Sequence, residues 1–101
     1  LMHRGYLEPN KGMFYIFDRE DLYYFWMMNT TIPLDIIWID SDFTVVDMME
    51  DAKPCRGPVC LTIKTDKRAK YVLELNANTA DIIGLDIGDK ISINLAKTES
   101  I

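Results

Sequence analysis

Apolar and polar residues alternate over short stretches of this chain, and the pattern changes from one stretch to the next. From Lys90 to Leu95, Lys90, Ser92 and Asn94 face one way and Ile91, Ile93 and Leu95 the other, the period of a strand with one wet face. Tyr71 to Leu75 alternates too, with Lys70, Val72 and Glu74 on the more polar side. Leu34 to Ile39 is apolar on both sides and reads as a central strand. Met13 to Phe17 and Tyr23 to Met27, β-branched and aromatic runs around the charged turn Asp18-Arg19-Glu20-Asp21, predict two paired strands. Leu34 to Ile39 and Phe43 to Met49 flank Asp40-Ser41-Asp42, whose side chains favour turns by bonding their own backbone, and this predicts a hairpin. Only Asn78 to Ile83 reads as helix, with Asn78 as cap, Ile82 and Ile83 as its apolar stripe and Gly84 as the left-handed residue that ends it. The fold class expected is mostly β, α+β at the margin. It is a small closed or nearly closed barrel of six or seven strands with one short helix near the C-terminus.

Composition narrows the function classes. A chain of 101 residues with 49% hydrophobic and 11% aromatic residues is expected to form a single domain over 1–101 around one core. Its formal net charge of -5 argues against nucleic acid as a partner, because such proteins gather Lys and Arg into patches that release counterions from phosphate. The basic cluster Lys64, Lys67, Arg68 and Lys70 is interrupted by Asp66 and reads as a solvated turn. No apolar stretch approaches the roughly 20 residues that span a bilayer. The chain begins at Leu1 without an initiator methionine. The location expected is extracytoplasmic if a targeting segment has been removed upstream, and cytoplasmic otherwise.

Asp35 is the residue that most needs explaining, since it stands alone in the apolar run from Phe25 to Asp40. A carboxylate in an apolar interior must find hydrogen bonds, take up a proton or sit at a wetted site. In a strand it shares a face with Ile37 and Ile39. One reading makes Asp35, Asn29 and Thr30 the polar floor of a ligand pocket, with Arg4 as a further partner and Trp26 and Met27 as apolar walls. The other is a structural cluster in which Asp35 accepts from backbone N–H groups of the Asn29 to Pro33 turn or pairs with Arg4. Pro33 suits both, breaking the strand before Leu34 and stiffening the turn.

Catalytic and metal chemistry find little support. His3 is the single histidine, so no Ser-His-Asp or Cys-His set can be assembled, and no Gly-rich phosphate loop is present. The best enzymatic arrangement is Asp35 with Glu74 as paired carboxylates acting on a sugar or similar substrate, although Glu74 also reads as a strand-surface residue balancing Lys70 or Arg68. Tyr6, Tyr23, Tyr24, Trp26 and Trp38 supply either a carbohydrate platform or core aromatics. Cys55 and Cys60 enclose Arg56-Gly57-Pro58-Val59, short enough to close with a disulfide in an oxidising compartment, or to stay as free thiols in a reducing one. Two cysteines do not supply the four ligands of a structural zinc, so neither metal nor cofactor is expected.

Leu1-Met2-x-Arg4, Gly12-Met13-Phe14, Phe25-Trp26-Met27-x-Asn29-Thr30-x-Ile32-Pro33-Leu34-Asp35-Ile36, Pro54-Cys55 with Cys60, Tyr71-Val72-Leu73-Glu74-Leu75 and Ile87-Gly88-Asp89 follow one another in order. Together they resemble domain-of-unknown-function family 192, a family of bacteria and archaea without an assigned activity, over nearly the whole chain. The resemblance implies kinship with a family many of whose members are exported. Met28 departs from it, standing where the family usually has lysine, and the chain starts inside the family's first motif, so an N-terminal strand common in the family is expected to be missing. The segment Gly84 to Ile91 is similar to the Gly-Asp box of cradle-loop and double-psi barrels, with Gly88 at positive φ and Asp89 accepting backbone N–H groups. The function expected is a non-catalytic module that binds a small molecule or a protein partner through a polar site around Asp35. The alternatives are a hydrolase using Asp35 as acid or base, and a purely structural protein-interaction module.

Overall fold

A computed structural model describes residues 11–28 and 30–92. Among them, β1 (Gly12–Asp21), β2 (Leu34–Ile39), β3 (Val45–Ala52) and β4 (Ala69–Asn76) form one antiparallel sheet in the order β1-β4-β2-β3, followed by the single helix α1 (Thr79–Ile83). The mostly β class with one short helix holds. The sheet is open rather than closed, so the described residues form four strands and no barrel. Additional bridges join Phe25 to Ile63, Met28 to Cys55 and Thr44 to Lys90. The alternating run from Lys90 lies largely outside the described residues.

The sheet is covered on both faces. On one, Leu34, Ile36, Trp38 and Val72 pack with Met27, Ala52 and Ala69 against Tyr15, Phe17, Phe25 and Ile63. On the other, Ile37, Ile39, Val45 and Ala80 pack against Phe14, Phe43, Tyr71, Leu73 and Leu75. Every residue of β2 is therefore buried, as its doubly apolar pattern requires. Phe14, Tyr71 and Phe43 stack across three segments, with ring centroids 5.5 and 4.8 Å apart. Gly12 is needed where β1 meets β4, because a Cβ there would come within 2.9 Å of the Glu74 carbonyl oxygen.

Pairing differs from the sequence expectation at one place. β1 continues through Asp18-Arg19-Glu20-Asp21, with a break in register between Ile16 and Asp21, and pairs with β4, not with Tyr23 to Met27. Residues 22–28 and 30–33 instead cover the sheet as irregular stretches held through their main chain. Trp38 Nε1 donates to the Tyr23 carbonyl at 2.8 Å, and Phe25 and Ile63 exchange two backbone bonds of 3.0 and 2.6 Å. The β2–β3 turn forms as predicted, with Asp40 Oδ1 accepting from the Asp42 and Thr44 N–H groups at 2.9 and 3.0 Å. Glu20 clamps this turn from β1, accepting from both the N–H and the hydroxyl of Ser41. Those bonds, backbone first, hold its carboxyl below the usual range.

Asp35 is fully buried and supplies the main polar tie of the fold. Its Oδ1 accepts from the N–H of Asp51 at 2.9 Å and of Asn78 at 3.2 Å, and its Oδ2 accepts from the N–H of Ala80 at 2.9 Å. The register explains the first bond. Leu34 pairs with Ala52 but Ile36 with Met49, so Asp35 opposes an extra residue of β3, and Asp51, at a φ of 53°, turns its N–H inward. The other two bonds do the work of a helix N-cap. Asn78 occupies the cap position with a φ of 73° and makes no side-chain cap bond, so the carboxylate of a neighbouring strand takes the role the sequence assigns to Asn78. Of the helix, Ala80 is buried, while Ile82 and Ile83 are exposed instead of forming an inward stripe. Gly84 ends the helix in the left-handed region as expected. The Gly-Asp turn also forms: Gly88 has a φ of 97°, Asp89 Oδ2 accepts the Asp86 N–H at 2.8 Å, and the Gly88 N–H reaches the Val45 carbonyl.

Two stability predictions follow from these ties. Asp35→Asn replaces one of the two accepting oxygens with an NH2 donor that faces main-chain N–H groups, and is expected to lower unfolding free energy in urea by about 3 kcal/mol; a loss below about 1 kcal/mol would overturn the tie. Cys55 and Cys60 are joined in a disulfide with a sequence separation of 5. Opening so short a loop by Cys60→Ser is expected to cost about 2 kcal/mol by chain entropy, and intact mass with and without reductant checks that the bond is present.

Candidate functional site

Parity along the strands decides which polar side chains can meet. Glu74 lies opposite Ile36 in the β2–β4 pairing and opposite Met13 in the β1–β4 pairing, so all three project from one face. Asp35, adjacent to Ile36 and opposite Leu75, projects from the other. Asp35 and Glu74 are thus separated by the sheet itself. No substrate can lie between them, and the paired-carboxylate arrangement does not form.

Glu74 faces a cleft of about 510 Å3 lined by Tyr15, Tyr24, Phe25, Trp26, Met27, Thr30, Leu34, Thr62 and Glu74. Only 4% of Glu74 is exposed, which overturns its reading as a strand-surface partner of Lys70 or Arg68. Tyr15 sits diagonally from it across the β1–β4 pair and donates its hydroxyl to Glu74 Oε1 at 3.0 Å. Above them run residues 24 to 27 of the irregular segment. Trp26 and Tyr24 are 50% and 48% exposed, whereas Phe25 turns inward against Tyr15 and Trp38, with centroids 6.2 and 6.1 Å away. Strand geometry would turn alternate residues the same way, and the main-chain pairing of Phe25 with Ile63 keeps that alternation here. The Thr30 N–H donates to the Met27 carbonyl at 3.1 Å, closing the turn that brings Thr30 to the cleft. Thr62, next to the bridged Ile63, completes the opposite wall.

Of the residues singled out from sequence, Trp26, Met27 and Thr30 meet at this cleft. Asp35 does not line it; its oxygen atoms accept backbone N–H groups on the far face, from Asp51, Asn78 and Ala80 rather than from the Asn29 to Pro33 turn. Arg4 and Asn29 lie outside the described residues, as do His3 and Tyr6. Of the aromatic platform, Tyr24 and Trp26 are at the cleft, Tyr23 is stacked on Phe17 at 3.7 Å, and Trp38 is buried in the core. Sequence reasoning missed Tyr15 and Thr62 and misplaced Glu74. The available signal was that a strand flanked by neighbours on both sides buries both of its faces, so a carboxylate within it must face something built for it. Among the described residues no group of three His, Cys, Asp or Glu side chains could hold a metal ion.

Burial first, then the charge of Glu74 and the hydrogen bond to it, pushes the Tyr15 hydroxyl well above its ordinary value of 10.0. A raised value in the folded state stabilises the protein fully below the unfolded value, and this contribution is lost as pH rises beyond it. The parent is therefore expected to lose stability more steeply than Tyr15→Phe above about pH 10, read as urea midpoints measured across the alkaline range. Equal slopes would mean that Tyr15 ionises freely in the folded protein.

No curated protein matches the chain. Two crystal structures do. One, of a protein of unknown function from Novosphingobium aromaticivorans DSM 12444, is 34% identical with a TM-score of 0.80 over 92% of this chain and 64% of that one. The other, described as a "putative transcription regulator" from Sinorhizobium meliloti 1021, is 36% identical with a TM-score of 0.78 over 89% of this chain and 67% of that one. The chain thus spans about two thirds of the length of each. The model of DUF192, described as an uncharacterized ACR, matches residues 1–93, and the chain belongs to this family.

Proposed function

We propose that the chain is a single, non-catalytic domain that binds a small molecule in the cleft around Glu74, with Trp26, Met27 and Thr30 as contact residues. The observation that carries this reading is the meeting of two half-exposed aromatic rings, Tyr24 and Trp26, with one buried carboxylate and two threonines at a single concavity. The cleft volume of about 510 Å3 falls in the range of small-molecule sites, roughly 300–1,000 Å3. Arg4 and Asn29 remain proposed contacts by their place in the sequence, while Asp35 contributes indirectly by fixing β2.

The hydrolase alternative draws little support from this geometry. Glycoside hydrolysis uses two carboxyl groups facing one bond, and here one carboxylate faces the cleft while the other caps a helix behind the sheet. A specific observation does favour protein contact as a second reading. On the far side of Met27, a groove of about 440 Å3 is lined by Met49, Ala52, Cys55, Val59, Leu61 and Ile63, of which Val59 and Leu61 are 77% and 85% exposed. Among the described residues no helix is long and apolar enough to cross a membrane.

Trp26 and Trp38 make the reading testable in solution. Trp38 is buried, so ligand-dependent quenching of tryptophan fluorescence reports on Trp26. A panel of sugars, amines, nucleotides and metal ions is expected to contain a compound that raises the melting temperature and shifts the emission. Trp26→Ala is expected to abolish both responses while unfolding within about 0.5 kcal/mol of the parent, as exposed substitutions do. A binder whose effect survives Trp26→Ala would place the site elsewhere.

A further inference from the structure

The main chain on either side of Trp26 is gripped at two points. Phe25 and Ile63 exchange backbone bonds of 3.0 and 2.6 Å, and the Cys55 N–H donates to the Met27 carbonyl at 3.1 Å, where Met28 and Cys55 form a parallel bridge. Both partners come from one loop, residues 55–63. The disulfide between Cys55 and Cys60 closes that loop, leaving only Leu61 and Thr62 between the bonded pair and Ile63. Closed, it makes Cys55 and Ile63 parts of one frame around the segment that carries Trp26. We infer that this disulfide is a reducible site, opened by a dithiol, and that its opening releases the aromatic wall of the cleft. The release itself needs no ligand; its bearing on binding rests on the cleft being a ligand site.

Burial contributes little to holding this loop. Val59 and Leu61, on either side of Cys60, are exposed, as are Arg56 and Pro58, so the covalent bond rather than packing keeps the loop closed. Breaking the bond returns the chain entropy that closure removed. The sulfur is also within reach. Cys55 lines the groove of about 440 Å3 beside Val59 and Leu61, and both cysteines are only half-buried, so a dithiol can approach without unfolding the sheet. Its thiolate attacks Cys55 Sγ, the S–S bond breaks, and Cys60 leaves as a thiolate that takes up a proton. The second thiolate of the reagent then attacks the mixed disulfide and frees Cys55, which is protonated in turn. The two cysteines gain two electrons and two protons, and the dithiol that supplied them closes into a cyclic disulfide. Met27 lines both the groove and the cleft, so a change at Cys55 reaches the wall through a single residue.

The full chain, purified in air and treated with graded dithiothreitol, tests this. Alkylation by iodoacetamide and intact mass count the opened bonds, and hydrogen exchange read by mass spectrometry follows each segment. The native protein is expected to take up an alkyl group on both cysteines together. Exchange in the peptide covering residues 23–28 is then expected to quicken about tenfold or more, within labelling times at which β2 and β4 stay protected in both forms. Removing dithiothreitol in air is expected to restore the slow exchange. Cys60→Ser is expected to exchange as the reduced parent does and to ignore dithiothreitol, and the reduced, alkylated parent gives the same reading without a substitution. Alkylation only in urea that unfolds the sheet would overturn the reducible site. Reduction with unchanged exchange over 23–28, or with β2 and β4 losing protection over the same times, would overturn the release of the wall. No ligand enters these measurements, so either failure leaves the cleft reading to its own test.

Discussion

A carboxylate with no access to water must be matched by donors that the fold brings to it, and among the described residues those of Asp35 are main-chain N–H groups from two distant segments. Asp35 reaches the bulge in β3 with one oxygen and the entry of α1 with both. Each of these segments is locally unfavourable: Asp51 and Asn78 have positive φ without being glycine, and a helix of five residues is too short to persist by itself. The interaction is reciprocal. The irregular backbone supplies what the buried charge requires, and the charge offsets the strain of the irregular backbone. Because β2 is central, with β4 on one side and β3 on the other, the tie lies where the sheet, the bulge and the helix meet.

The two buried carboxylates illustrate how one sheet can place two acids in separate environments. Adjacent residues of a strand point to opposite faces, so Asp35 beside Ile36, and Glu74 opposite Ile36, are close along the backbone yet belong to different compartments. Behind the sheet the acceptor is saturated by rigid main chain. In front, Glu74 meets a phenol and a cleft lined by aromatic and hydroxyl groups.

Much of this was legible from residue patterns. The doubly apolar run of Leu34 to Ile39 placed the central strand, Asp40-Ser41-Asp42 placed its hairpin, and Gly84 and Gly88 marked two left-handed positions. Asp35 was recognisable as a buried charge, but its partners were not, because Asp51, Asn78 and Ala80 come to it only through strand register and a bulge that no local signal announces. Tyr23 to Met27 has strand composition and behaves as a strand edge only at Phe25, since Trp38 captures the Tyr23 carbonyl and draws the segment across the sheet. Glu74 was misjudged because alternation suggests a wet face wherever a charge recurs, whereas a strand with neighbours on both sides and covered faces has none. The closed barrel was inferred from strand number, and the described residues use several of those apolar runs as covering segments instead.

The segment that forms the cleft's aromatic wall hangs from the rest of the molecule by its main chain: the Tyr23 carbonyl on Trp38, the Phe25–Ile63 pair, and the Cys55 N–H on the Met27 carbonyl. None of these bonds reads the side chain at position 24 or 26. A substitution at either position therefore leaves these main-chain bonds in place. The frame that presents the two rings is thus built independently of the rings themselves.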